Sequence, residues 1–166
     1  HFSNLVLVLI ALSSSIAFAE PCKVKAYFSP QDNIEAEIVT LLSGAKKTVH
    51  CSLYGITNVR VTEAIEKAVK RGVEVQLCLD KIQSAGKSST HAKLKKAGAD
   101  VVIKKTGVLE HNKFCVIDGN RLIMGSWNFS NNAQRQDNSD VEISGCSDIV
   151  RDFEKAFTRI RERDKQ

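Results

Sequence analysis

His111, Lys113, Ser126 and Asn128 are the residues of this 166-residue chain best suited to chemistry. They fall in one stretch, HNKFCVIDGNRLIMGSWN, at alternating positions on either side of Asp118-Gly119-Asn120. An imidazole can serve as nucleophile or proton donor, because its unperturbed pKa of about 6.5 lets both protonation states exist near neutrality. An ammonium, a hydroxyl and an amide can donate hydrogen bonds to anionic oxygens. Phosphodiesters resist hydrolysis because those oxygens repel a nucleophile. A catalyst therefore needs donors on the oxygens, a nucleophile, and an acid for the departing oxygen. His111 can serve as nucleophile or acid, and Lys113, Ser126 and Asn128 can supply the phosphate-binding donors.

To act together these side chains must be positioned by one element, and the flanking apolar runs predict a β-hairpin. An Asp-Gly or Gly-Asn pair between β-branched runs tolerates the positive φ of a tight turn. With Gly119 and Asn120 as the loop, Asp118 faces Arg121, Lys113 faces Ser126 and His111 faces Asn128. With Asp118 and Gly119 as the loop the partners change but the facing does not, since side chains alternate with period two. Either way the four site residues share one face. Asp118 lies on the other, in a structural role through Arg121 or a dimer contact. Trp127 and Phe129 alternate with Asn128 and are expected in the core.

The rest of the chain supplies a scaffold. Apolar alternation predicts strands over Lys23–Phe28, Thr48–Tyr54, Val73–Leu79, Asp100–Lys105 and Ser139–Ile143. Helical spacing predicts helices over Gln31–Leu42, Asn58–Arg71, His91–Ala97 and Asp148–Arg163. This β-α-β-α-β order with short connections predicts an α/β fold: a mixed, mostly parallel sheet flanked by helices on both faces. His50 lies on the side of its strand away from Val49 and Cys51, facing either core or cleft. The length suits one globular domain, residues 20–166, and 43% hydrophobic beside 26% charged residues excludes a disordered chain.

The formal net charge is +5. A solvated lysine-rich surface accounts for this as well as an anionic partner does. On the second reading, Lys81, Lys87 and Lys93 form a basic rim for nucleic acid. Gly86-Lys87-Ser88 resembles the end of a nucleotide-binding loop, but Lys81 stands where the first glycine is required. The four histidines are scattered and no metal-ligand spacing occurs, so neither metal nor cofactor is expected. Cys51, Cys78 and Cys115 sit in apolar runs, where thiols behave as small hydrophobes. Cys22 and Cys146 could pair in an oxidising compartment. Residues 1–19 are almost uncharged, contain the apolar run Leu5–Leu12 and end in Ala17-Phe18-Ala19. They read as a signal peptide with export to the periplasm or medium and no stable membrane association after cleavage. The alternative is an uncleaved anchor, for which the run is short of the usual ~18 residues.

His111-x-Lys113 with Asp118, followed by Gly125-Ser126-x-Asn128, resembles the HKD signature of the phospholipase D superfamily. The single copy and the length are similar to its small bacterial endonucleases, and the resemblance covers nearly all of residues 20–166. It implies a phosphohistidine intermediate and two cooperating histidines. One motif per chain therefore implies a homodimer, with two His111 side chains meeting across a two-fold axis. It also implies that an acidic residue on the late strand, here Asp140, orients His111, and it counts Asp118 among the site residues. The implied activity is metal-independent hydrolysis of nucleic acid, DNA and by extension RNA. A phospholipase D or cardiolipin hydrolase acting on lipid phosphodiesters is the alternative, because site chemistry fixes the reaction and not the substrate. A non-catalytic nucleic-acid-binding module is the third reading.

Overall fold

The computed structural model describes residues 21–105 and 107–163. The signal-peptide expectation therefore lies outside the described residues. Seven strands, β1 (Lys23–Ser29), β2 (Thr48–Leu53), β3 (Glu74–Leu79), β4 (Asp100–Ile103), β5 (Lys113–Ile117), β6 (Arg121–Gly125) and β7 (Asn138–Ser144), form one sheet in the order β1-β7-β6-β5-β2-β3-β4. Among the described residues five α-helices accompany it: α1 (Ile34–Gly44), α2 (Val59–Lys70), α3 (Lys81–Ser84), α4 (His91–Ala97) and α5 (Ser147–Glu162). On one face, α1 and α2 bury Ile34, Ile38, Leu42, Ile65 and Ala68 with Leu53, Leu77 and Leu79 of the sheet. On the other, Phe157 and Val150 of α5 pack with Phe114, Val116 and Leu122. A mixed sheet with helices on both faces is thus as expected.

The proportion of strand directions is not. Only β2-β3 and β3-β4 pair in parallel, whereas β1-β7, β7-β6, β6-β5 and β5-β2 are antiparallel. Helical crossovers produce the first kind, whereas the short turn between β5 and β6 allows only an antiparallel neighbour.

Register in the organising hairpin also differs from expectation. Ile117 pairs with Arg121 and Phe114 with Met124, so the loop has three residues, Asp118 to Asn120. Asp118 (φ 53°) and Gly119 (φ 65°) both adopt left-handed backbone. The extra loop residue offsets the ladder by one position, and such an offset exchanges the faces of one strand relative to the other.

Asp118 makes this loop possible. Its carboxylate accepts hydrogen bonds from the backbone N–H groups of Lys46, Lys47 and Thr48 at 2.7–3.1 Å, tying the hairpin tip to the start of β2. The expected partner was Arg121, which instead lies 3.9 Å from Glu142. Burial acts to raise the Asp118 pKa, but the three N–H donors outweigh it and hold the carboxyl below its ordinary value. Its contribution to stability is therefore complete above the unfolded value of about 3.9 and is lost as pH falls through the lower folded value. Asp118→Asn tolerates the same φ, removes the charge and turns one of the two acceptor oxygens into an amide donor. It should cost about 2 kcal/mol at pH 7, read by urea denaturation, and the difference from the parent should shrink below about pH 4.

Two disulfides cross the fold. Cys22–Cys146 joins the start of β1 to the residue before α5, and Cys51–Cys115 links directly opposed residues of β2 and β5. The first matches the expected pairing. The second corrects the reading of Cys51 and Cys115 as plain hydrophobes: antiparallel neighbours in register bring their Cα atoms to 4.1 Å, within bridging distance. Cys78 remains a buried thiol.

Candidate active site

One end of the sheet collects the polar ends of several strands. β2 ends there at Leu53-Tyr54, β3 at Leu79-Asp80 and β6 at Gly125-Ser126, while β5 begins there with His111 to Lys113. Tyr54 N donates to Asn112 O at 2.8 Å, extending the β2-β5 ladder to the motif. Two buried carboxylates brace this entry. Glu110 Oε1 accepts from Asn112 N and Nδ2 at 3.1 and 2.8 Å, and Asp80 Oδ1 accepts from Ile82 N and Gln83 N.

His111 is exposed and meets the Tyr54 ring edge-on, with centroids 4.7 Å apart. Lys113 curls back towards it: Nζ donates to His111 O at 2.8 Å and lies 3.3 Å from Nδ1 and 5.3 Å from the Tyr54 ring centroid. Burial pushes the Lys113 pKa down, and the neighbouring Glu110 carboxylate opposes that shift. His111 and Lys113 thus lie side by side at this end of the sheet, as expected.

Asn128 reaches the same neighbourhood by a different route from the one its spacing suggested. After Gly125 the chain leaves β6 and crosses the end of β5. Thr57 N and Asn58 N then hold Phe129 O at 2.9 and 3.0 Å beside the extension of β2. Trp127 and Phe129 anchor this crossing in the core, both almost fully buried as expected. Asn128 consequently lines a cavity of about 250 Å3 with Tyr54, and its Oδ1 is buried without a hydrogen-bond partner.

Ser126 does not join them. Its hydroxyl bonds Asn138 Oδ1 and accepts from Ser139 N, both at 3.1 Å, within a separate cleft beside Ser29 and Asn138. The expectation of one shared face fails here because of the register offset and because Ser126 lies past the end of β6. Asp118, which the motif counts with the site, sits at the far end of β5. Five residues of strand put it roughly 17 Å from Lys113. Asp140 is also differently engaged. Its Oδ1 accepts from Trp127 N at 2.9 Å, and burial pushes its pKa up against bonds from the Trp127 and Ser126 backbone. The carboxylate expected to orient His111 therefore braces the crossing segment within this chain.

Among the proposed nucleic-acid contacts, Lys81 and Lys87 are exposed, whereas Lys93 pairs with Glu66 at 2.9 Å. Lys95, Lys96, Lys105 and His91 line a larger cleft of about 680 Å3 between α4 and β4. His50 proves to be a packing residue, stacked on Phe157 and bonded to Glu154. Among the described residues, no three His, Cys, Asp or Glu side chains converge to hold an ion. Gln83 and Glu110 went unnoticed in the sequence, and Tyr54 was placed only with His50 on a strand side facing either core or cleft. The available signal was position: Tyr54 and Gln83 follow the carboxyl ends of adjacent parallel strands, where α/β sheets place their ligands.

Three comparisons bear on this arrangement. The family model described as a cardiolipin synthase, phospholipase D-like domain matches residues 38–161. A phospholipase D of Rickettsia conorii is 31% identical over 160 residues, which is 92% of this chain and 80% of that protein. A mitochondrial cardiolipin hydrolase of Chlamydomonas reinhardtii is 28% identical over 72% of the chain, which spans 53% of that longer protein. In three dimensions the chain is similar to Nuc of Salmonella typhimurium, a phospholipase D family member. The TM-score is 0.81 at 21% identity, covering 87% of this chain and 96% of Nuc. With His111 and Lys113 paired at the sheet edge and Asn128 close by, the chain belongs to the phospholipase D-like family of phosphodiesterases.

Proposed function

We propose that this phosphodiesterase acts on nucleic acid, is exported, needs no metal, and works as a homodimer through a covalent histidine intermediate. A ring nitrogen of His111 attacks phosphorus and displaces the leaving alkoxide, which takes a proton from the His111 of a second copy. Water then attacks the phosphohistidine and returns both histidines to their starting state. Lys113 neutralises and holds the non-bridging oxygens, and the Asn128 amide N–H donates to them from the rim of the adjoining cavity; both donors gain strength as charge accumulates there.

The observation that carries the choice of substrate is the basic cleft between α4 and β4. It is lined by His91, Lys95, Lys96 and Lys105 over an apolar floor of Ala92 and β4 residues, with no acidic side chain, and Lys105 follows the carboxyl end of β4. β4 lies three strands, roughly 14 Å, from β5, and Lys105 stands at the His111 end of the sheet, while Lys95 and Lys96 at the end of α4 lie further along towards the start of β4. A polyanion longer than one phosphodiester can engage both. Export is supported by the two disulfides, which persist in oxidising compartments. Dimerisation is supported by the exposure of His111 together with Val108 and Leu109, which are 53% and 54% exposed.

Those same apolar side chains, with Ile82 at 72% exposure, favour a second reading in which the site edge meets a lipid surface. The names of the Rickettsia and Chlamydomonas relatives point the same way. Incubating the protein in EDTA with single- and double-stranded DNA, RNA and cardiolipin vesicles separates the two. Cleavage of nucleic acid at full rate is expected. Phosphatidic acid release with intact nucleic acid would reverse the order, and a requirement for added divalent metal would remove the proposed mechanism.

A further inference from the structure

The cavity beside His111 has a composition unlike the rest of the site edge. Apart from Gly55, every side chain lining its roughly 250 Å3 carries a neutral hydrogen-bonding group, and none is charged. Tyr54 forms the wall between this cavity and His111. Gln83 Nε2 donates to Tyr54 Oη at 2.8 Å, which fixes the carboxamide and leaves its Oε1 as an acceptor. Gly55 permits that approach, since a Cβ there would come within 3.0 Å of Gln83 Cβ. Opposite, Asn128 Oδ1 is buried with no partner. Buried amide oxygens without partners are costly, so a turn of this carboxamide that brings Oδ1 to the cavity surface would be repaid by a ligand donor.

We propose that this cavity is a base-recognition subsite, taking the nucleobase next to the scissile phosphate. The inference rests on the nucleic-acid reading above and deepens it. A phosphate or carboxylate would enter without a counter-charge, and an acyl chain would strip the amides of water and return no hydrogen bonds. A nucleobase edge offers neutral donors and acceptors in a plane, and carboxamides read such edges in pairs. The volume falls below the roughly 300–1,000 Å3 of ordinary ligand sites, which suits one ring system and not a whole nucleotide. Tyr54 touches both the cavity and His111, so the base read belongs to a nucleotide flanking the cut. Bases splayed from a single strand present their edges in this way, whereas a duplex would have to be opened first.

The test is to digest a sequence-randomised single-stranded DNA with the protein and sequence the product ends, for the parent, Gln83→Ala and Asn132→Ala, whose native side chains both line the cavity. Preference is a ratio among bases within one enzyme, so any general loss of activity cancels. The parent should favour one base at one position flanking the cut by roughly tenfold or more. Each variant should flatten that preference to within about threefold. A flat parental profile, or variants that keep the parental preference, would overturn the inference while leaving the nucleic-acid reading intact. If the parent leaves DNA and RNA uncut but hydrolyses cardiolipin vesicles, the nucleic-acid reading itself has failed and the subsite falls with it.

Discussion

Replacing His111 by alanine should abolish phosphodiester hydrolysis, lowering kcat by at least about 10^3-fold, with secondary structure and oligomeric state unchanged. The size of the effect follows from losing nucleophile and acid together. In a two-histidine dimer one substitution removes both groups from each site, and residues that act as a unit show the full loss on single replacement. Stability should be spared because His111 is exposed and its contacts are confined to the Tyr54 edge and the Lys113 ammonium. Steady-state rates on a chromogenic diester, with circular dichroism and sedimentation of the same samples, check all three statements. Activity within tenfold of the parent would move the chemistry away from this histidine.

Gly125→Ala should be the most disruptive small substitution for the fold, costing about 3 kcal/mol or more and lowering Tm by roughly 10 °C. Gly125 is the last residue of β6 and pairs with Asp140 of β7. A Cβ at this position would overlap Asp140 Oδ1, Asp140 Cα and the Ser139 carbonyl oxygen. Two of those atoms are backbone, so no rotamer change relieves the contact and β6 and β7 must separate. Asp140 would then lose its grip on Trp127 N, and the segment carrying Asn128 would lose its brace. Gly44→Ala provides the contrast. At the end of α1 a Cβ meets nothing within 4 Å, and the change should be neutral or slightly stabilising. Thermal melts of the two variants beside the parent check the difference.

Gly125 also shows where the sequence was legible and where it was not. The spacing of Gly125, Ser126 and Asn128 marked this stretch as functional, yet the reason for the glycine is a close approach to a strand 15 positions later, which no local pattern reveals. Strands and helices emerged from apolar periodicity almost to their ends, because each one buries a single face. His111 and Lys113 were correctly brought to one edge because two residues of one strand share a face whatever the strand pairs with. Relations between strands were harder. The hairpin offset turned on whether the loop held two residues or three, a choice made by Asp118 capping the start of β2, some 70 residues away. Cys51 and Cys115 looked like core hydrophobes because their pairing exists only once β2 and β5 are known to be neighbours in register. Tyr54 and Gln83 meet Asn128 through the crossing segment, again a tertiary fact.

The structural consequence for catalysis is a division of labour between two ends of one hairpin. At its tip Asp118 locks the loop to β2 through backbone N–H groups. At its open end His111 and Lys113 stand free of the core, positioned by Tyr54, Glu110 and the ladder through Asn112. Ser126 and Asp140 support the return strand and the crossing that delivers Asn128. A role for either in contacting substrate would require a second copy or the substrate itself to rearrange these bonds.

A histidine nucleophile at position 111 would be trapped in a single-turnover reaction of excess protein with a short single-stranded DNA in EDTA. The reaction is quenched in alkali during product formation and the peptides are analysed by mass spectrometry. A phosphoryl-linked nucleotide adduct on the His111 peptide, rising and then decaying as the second product appears, is the predicted result. Product formation with no adduct at any time, or an adduct on a different residue, would contradict it.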